Sequence, residues 1–262
     1  SSGIINITTT GAAVLEAEGT GFNPSYSTGI KSDANVNASG ANITIITKGV
    51  GGKGISADKD INIRSGIVSI TSSGNGATYQ DATNTKDVYN STCLTADRNI
   101  NITGGTCTFS NSGTAGKGIS ADTTITIGDP NIDTFPIINI TTTGTKILIS
   151  GSGQNASYAE AKAVKADKDF NLIIGNVTIS SADDGIKAEG TINIEGGNLT
   201  ISKSIEGLEA PYINIKDGNT SVASSDDAIN GTKGNGGEGS DGSLVHISGG
   251  TIVLDASAGD GL

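Results

Sequence analysis

Carboxylates recur just ahead of the small residues that open apolar runs. Asp183 and Asp184 precede Gly185, Glu206 precedes Gly207, Asp226 and Asp227 precede Ala228, and Asp260 precedes Gly261. If these segments stack as strands, the acids lie about one strand spacing apart, ~5 Å. Carboxylates that close repel one another unless something neutralises them. A hard cation taking roughly six to eight oxygen ligands suits such a set, and Ca²⁺ is the usual one. The expected ligands are Asp183, Asp184, Glu206, Asp226 and Asp227, with Glu209 and Asn230 joining by proximity. The plainer alternative is a solvated acidic corner, with Asp and Glu present as turn formers.

A second chemistry-bearing set is aromatic. Three insertions read alike and carry Tyr26, Tyr79 and Tyr158: Gly19 to Tyr26, Gly74 to Tyr79, and Gly151 to Tyr158. They enter alternate repeats, and short loops around Lys53 and Lys117 mark the repeats between. At two strand spacings the rings would stand about 9–10 Å apart along one side. Tyrosine offers an amphipathic face of the kind that stacks on sugars. The alternative is that each ring covers the base of its own loop. A further acidic series, Asp33, Asp58, Asp97, Asp122, Asp167 and Glu189, is often followed by Lys or Arg and reads as a charge-compensated turn.

The repeat supplies the elements that must position these residues. The frame Gly185-Ile186-Lys187-Ala188-Glu189, Ile192-Asn193-Ile194, Leu199-Thr200-Ile201 recurs around Gly54, Leu94 and Val164. Weaker copies begin at Gly29, Gly118, Gly207 and Ala228. Each unit holds two or three strands of apolar–polar alternation separated by Gly, Asn and Asp turns, and no segment keeps a helical period. One unit cannot bury its apolar edge alone, but stacked units can. The expectation is an all-β, right-handed parallel β-helix, a solenoid of about eight or nine coils at that rise. Inward columns would run Val36, Ile61, Ile100, Ile125, Phe170, Ile192, Ile213, Val245 and Ile43, Val68, Cys107, Val177, Leu199, Ile252. An outward column would run from Asn37 through Asn62 and Asn101 to His246, making that histidine a solvated rung. Residues 1–262 form one solenoid domain, with two-coil units bearing Tyr loops over 1–162 and compact coils with the acidic corner over 163–262.

Composition narrows the function classes. The net charge is −11, with 27 acidic against 16 basic residues. Nucleic-acid binding needs Lys and Arg to displace counterions, so no nucleic-acid partner is expected. No apolar run is long enough for a membrane span. Two cysteines make no disulfide framework, and Cys107 falls at an inward position. The chain opens and closes in mid-pattern, so the expectation is truncation at both ends and an export signal beyond this sequence.

The strings SADDGIKAEGTINIEGGNLTIS, SIEGLEA and SSDDAIN resemble the bacterial carbohydrate-binding β-helix family, specifically over Ser180 to Ala228. That family includes a clostridial cellulose- and pectin-binding protein and is similar in fold to calcium-dependent pectate lyases. The looser repeat extends the resemblance over nearly the whole chain. The resemblance implies a right-handed β-helix, calcium at the acidic corner, and polysaccharide binding without established catalysis. Asp183-Asp184-Gly185 and Glu206-Gly207 match the family pattern, while Ala228 replaces its usual glycine.

The leading expectation is therefore a calcium-binding polysaccharide-binding module for cellulose- or pectin-like glycans, monomeric and extracellular or on the cell surface. A calcium-dependent polysaccharide lyase is a second reading. It would need a Lys or Arg base near the ion, and Lys187 and Lys203 are the nearest candidates. A structural adhesin or stalk is a third.

Overall fold

Turn-separated tripeptides such as Ile61-Asn62-Ile63 and Ile100-Asn101-Ile102 place two branched residues on one face and an amide on the other. In a computed structural model, which describes residues 3–132, 134–234 and 240–262, such segments stack in register into three long parallel sheets. The protein is a right-handed parallel β-helix. The long sheet has nine strands, from Ile4–Thr9 to Thr251–Ala256. The groove sheet has eight, from Thr28–Ser32 to Ile229–Gly231, and the asparagine sheet has eight, from Val36–Ala38 to Leu244–Ile247. Each coil passes through the groove, asparagine and long sheets in that order.

The interior is a set of single-file apolar columns. Val36, Ile61, Ile100, Ile125, Phe170, Ile192, Ile213 and Val245 are register partners, as the sequence spacing implies. Most are fully buried. Burying a side chain of this size contributes about 1.5–3 kcal/mol. On the outer face, the Asn62 amide donates to Asn37 at 3.0 Å, and Asn101 donates to Asn62 at 3.0 Å. The exposed His246 continues that row beside Asn214. Cys93 and Cys107 are both free and buried, and burial pushes each thiol up to about 12.

Between Ile43 and Ile252 the inward column of the long sheet contains two residues that the sequence frame passed over. Ile138 fills the place between Cys107 and Val177, and Thr220 that between Leu199 and Ile252. The nine residues of sequence between Ile127 and Ile137 shift the phase ahead of Ile138, and a threonine breaks the apolar pattern at 220. The buried Thr220 hydroxyl lacks a hydrogen-bond partner among the described residues. A buried hydroxyl without a partner costs about 1–3 kcal/mol. Thr220→Val, nearly isosteric, is therefore expected to raise the unfolding free energy by about 1 kcal/mol in denaturant melts; an unchanged or lowered midpoint would contradict the packing described.

Three antiparallel hairpins leave the solenoid between the long sheet and the groove sheet of alternate coils. They are Val14–Glu18 with Gly21–Ser25, Ala77–Gln80 with Lys86–Tyr89, and Ile147–Ser150 with Ser157–Ala159. They lean on one another: Thr20 N–H donates to Ala82 O at 2.9 Å, and Lys86 Nζ to Leu148 O at 3.2 Å. Gly21 sits so close to the second hairpin that an added Cβ would lie 2.0 Å from Asp81 O, so the glycine of that insertion motif is a packing requirement.

Candidate functional site

Stacking brings together residues far apart in sequence. On the groove sheet, Thr28, Lys53, Thr92 and Lys117 are successive register partners at one strand end. The backbone ladder carries this column onward. Gly118 N–H donates to Lys162 O, Ala163 N–H to Asp184 O, Gly185 N–H to Glu206 O, Gly207 N–H to Asp227 O, and Ala228 N–H to Asp260 O. One column therefore changes sign along the rod, from Lys53, Lys117 and Lys162 to Asp184, Glu206, Asp227 and Asp260. From the sequence only its acidic half was recognised. The basic half was legible too, since Lys53, Lys117 and Lys162 also precede small residues that open a strand. A parallel column three residues on runs Ser120, Lys165, Lys187, Glu209 and Asn230.

Where the columns change sign, carboxylates converge in two groups. Glu160, Asp183 and Asp184 present oxygens within 4.8 Å of one another, and so do Asp184, Glu206 and Glu209. Lys162 answers the first group: its ammonium binds Glu160 at 2.8 Å, Asp183 at 3.4 Å and Asp184 at closest range. Burial alone would lower the pKa of Lys162, but Asp184, Glu160 and Asp183 together override it and hold the ammonium well above its ordinary range. Glu160 was not among the ligands expected from the sequence. It lies in the connection out of the third hairpin, outside the repeat frame.

The second group is less compensated. Among the described residues Lys187 pairs with Glu209 alone. Glu206 Oε2 is buried without a hydrogen-bond partner among the described residues. Burial first, then the charges of Glu209 and Asp184, push the Glu206 carboxyl up to about 8, with the Asn230 side chain pulling the other way. Asp183 and Asp184 are also raised, in each case chiefly by burial. An orphaned carboxylate oxygen with two further carboxylates at ligand spacing is a donor set that fits a hard divalent cation. These acidic clusters can hold a metal ion.

The other residues expected at this corner lie at its margin. Asp227 continues the column one coil beyond Glu206, but its Oδ1 accepts the Asp260 N–H at 2.8 Å. Asp226 is exposed, and an added Cβ at Gly259 would meet the Oδ1 atoms of both aspartates within 2.5 Å. Both carboxylates thus line the final turn. Asp183 belongs to the Lys162 group rather than to the Glu206 group.

The tyrosines lie at the roots of the hairpins, over the groove sheet. Tyr26 and Tyr79 each meet Tyr89 edge to face, at centroid separations of 6.5 and 5.8 Å. Tyr89, in the return strand of the second hairpin, links the two and falls outside the motif that marked the others. Tyr158 stands apart, with Lys146 Nζ 4.0 Å from its ring centre. Lys53 Nζ lies 3.6 Å from the centre of the Tyr26 ring, a favourable cation–π arrangement.

Two grooves open between hairpins and groove sheet. One, of about 370 Å³, is lined by Tyr26, Lys53, Lys31, Glu16, Asp58 and Asp97 among others. The second, of about 270 Å³, is bounded by Tyr158, Asp87, Glu160, Lys117, Lys162 and Lys165 among others. Half-buried aromatic rings beside charged and hydrogen-bonding groups are the ingredients of a binding cleft. Lys187, one of two candidate bases, is engaged by Glu209, and the other, Lys203, is exposed.

A family model described as carbohydrate-binding domain-containing protein matches residues 25–207. No curated protein and no solved structure matches the chain.

Proposed function

Because the chain belongs to the family of carbohydrate-binding domain-containing proteins, we propose that it is a non-catalytic module that holds an extended polysaccharide along its hairpin side. A calcium ion steadies the adjoining acidic corner. The observation that carries this reading is the edge-to-face set of Tyr26, Tyr89 and Tyr79, with Tyr158 apart from it, beside polar grooves between the hairpins and the groove sheet. A binding surface built on stacked coils is fixed before the ligand arrives, so little ordering entropy is lost on association. The three leaning hairpins extend that surface over several coils, which suits a polymer better than a single sugar.

In this reading the two regions divide the work. Residues 1–162 carry the glycan-facing hairpins and residues 163–262 the ion. Asp184, Glu206 and Glu209 are the central ligands, with Asn230 beside them; Asp183, Asp226 and Asp227 flank the site. The ion would neutralise the crowded carboxylates and fix the coils that carry them. The glycans proposed are cellulose- or pectin-like, met outside the cell by a monomeric module. A lyase reading would need a free base beside the ion, and Lys187 is already paired with Glu209.

The triple variant Tyr26→Ala, Tyr79→Ala, Tyr158→Ala is expected to weaken glycan binding at least tenfold by calorimetric titration, with the solenoid's circular dichroism retained. Undiminished binding would remove the hairpin side as the glycan surface. A parallel absorbance assay for unsaturated uronides is expected to show no turnover, and clear turnover would replace the binder with the lyase.

A further inference from the structure

Among the described residues, Lys117 is the one lysine of the basic column with neither an ion pair nor an aromatic ring against it. Lys162 is held by three carboxylates, Lys165 pairs with Asp167 at 2.6 Å, and Lys53 lies against the Tyr26 ring. Among the described residues the Lys117 ammonium has no carboxylate within ion-pair range, no hydrogen-bond acceptor and no aromatic ring over it. It faces the 270 Å³ groove between the second and third hairpins, with Tyr158 on one wall. Lys162 and Lys165 line the same groove, so three ammonium groups face Asp87 and Glu160. Lys162 is answered by Glu160, Asp183 and Asp184 and Lys165 by Asp167, which leaves Lys117 as the groove's unpaired ammonium among the described residues. Burial, reinforced by Lys165 and partly opposed by the Asp167 charge, lowers the Lys117 pKa to about 8. A desolvated cation among like charges gains most from an incoming anion.

We propose that this groove is a subsite for an anionic group carried by the bound glycan, received by Lys117 with the Tyr158 ring alongside. The proposal rests on the polysaccharide reading above and deepens it. Here acid recognition belongs to lysine in the groove, separate from the divalent-cation corner formed by Asp184, Glu206 and Glu209. The neighbouring Lys53 groove differs, since its ammonium already has the Tyr26 ring and the groove carries Glu16, Asp58 and Asp97. The preference for acid is therefore local to one pair of hairpins.

The test compares the parent chain with Lys117→Gln and Lys117→Arg, with chelator present so that no metal bridge contributes. Four probes are titrated: oligogalacturonate, its methyl ester, a sulfated galactan and a neutral cello-oligosaccharide. The Gln variant is expected to lose about tenfold in affinity for an anionic probe and nothing for the neutral one, with Arg restoring most of the loss. A loss confined to oligogalacturonate assigns a carboxylate, and a loss confined to the sulfated galactan assigns a sulfate ester; both support the subsite. Unchanged anionic binding, or an equal loss for the neutral probe, overturns it while leaving the polysaccharide reading standing. A parent that binds none of the four, in chelator or in calcium, overturns both. Melting curves of the variants check that the fold is retained, as Lys117 points away from the core.

Discussion

Lys162→Met should cost about 3–5 kcal/mol of unfolding free energy in chelator, because it strands buried carboxylates. The ammonium touches Glu160, Asp183 and Asp184, and the Lys162 and Asp184 side chains are 13% and 5% exposed. Removing one partner of a buried charge group is far more costly than the group's net worth, since the remaining charges lose their compensation without regaining water. The register makes the crowding unavoidable: Lys162 and Asp184 are consecutive rungs of one column, and Glu160 stands two residues ahead of Lys162. The same variant would leave three converging carboxylates at ligand spacing. Millimolar calcium is therefore expected to restore part of the loss. Chemical denaturation of parent and variant, each with calcium and with chelator, reads both effects. A variant within 1 kcal/mol of the parent in chelator would mean that Lys162 does not hold the corner together.

The second large effect concerns the ion itself. A cation that binds the folded chain at about a hundredfold below its working concentration adds about 2.7 kcal/mol of stability. The Tm is accordingly expected to rise by several degrees on adding millimolar calcium, and Glu206→Gln is expected to abolish most of that rise. The pH dependence has a definite sign. Glu206 has a folded-state pKa raised to about 8 from an ordinary carboxyl value of 4.5. The metal-free folded chain therefore binds more protons than the unfolded chain between those values, and its stability falls as pH rises through that window. With calcium bound the carboxylate is compensated and the decline should shrink. A metal-free chain that instead gains stability from pH 5 to 8, with no response to calcium, would contradict the site as described.

The solenoid was legible because its rules are local. Alternating Ile-Asn-Ile triplets at fixed phase specify which residues face in, and stacking then determines neighbours without long-range inference. The inward row from Val36 to Val245 follows from spacing alone. Ile138 and Thr220 escaped where an irregular loop and a polar substitution interrupted that pattern. The acidic corner was half legible. Asp184 and Glu206 fall at the repeat phase and do converge, whereas the two aspartates at 226 and 227 share that phase but are drawn to the turn at Gly259. Phase fixes the column; which member turns toward which depends on local turns and counter-charges. Glu160 and Tyr89 were invisible for a related reason. They lie in or beside the hairpins, where the period is lost and contacts depend on how the insertions lean on one another.

That leaning is also what joins structure to function. An isolated two-stranded hairpin is marginally stable in water, yet each of these is braced by its neighbour. The Thr20–Ala82 and Lys86–Leu148 contacts tie the three into one wall. The rings along that wall are therefore held at fixed positions relative to the column of lysines below.

The most direct test of the central claim is a calorimetric titration of the parent chain, in calcium, against soluble β-glucan and polygalacturonate of defined length. Saturable binding that strengthens as the oligomer lengthens to span more than one groove, and weakens in the triple tyrosine variant, is the expected result. No binding to either polymer at millimolar sugar, with the fold intact by circular dichroism, would contradict the assignment of this solenoid as a polysaccharide-binding module.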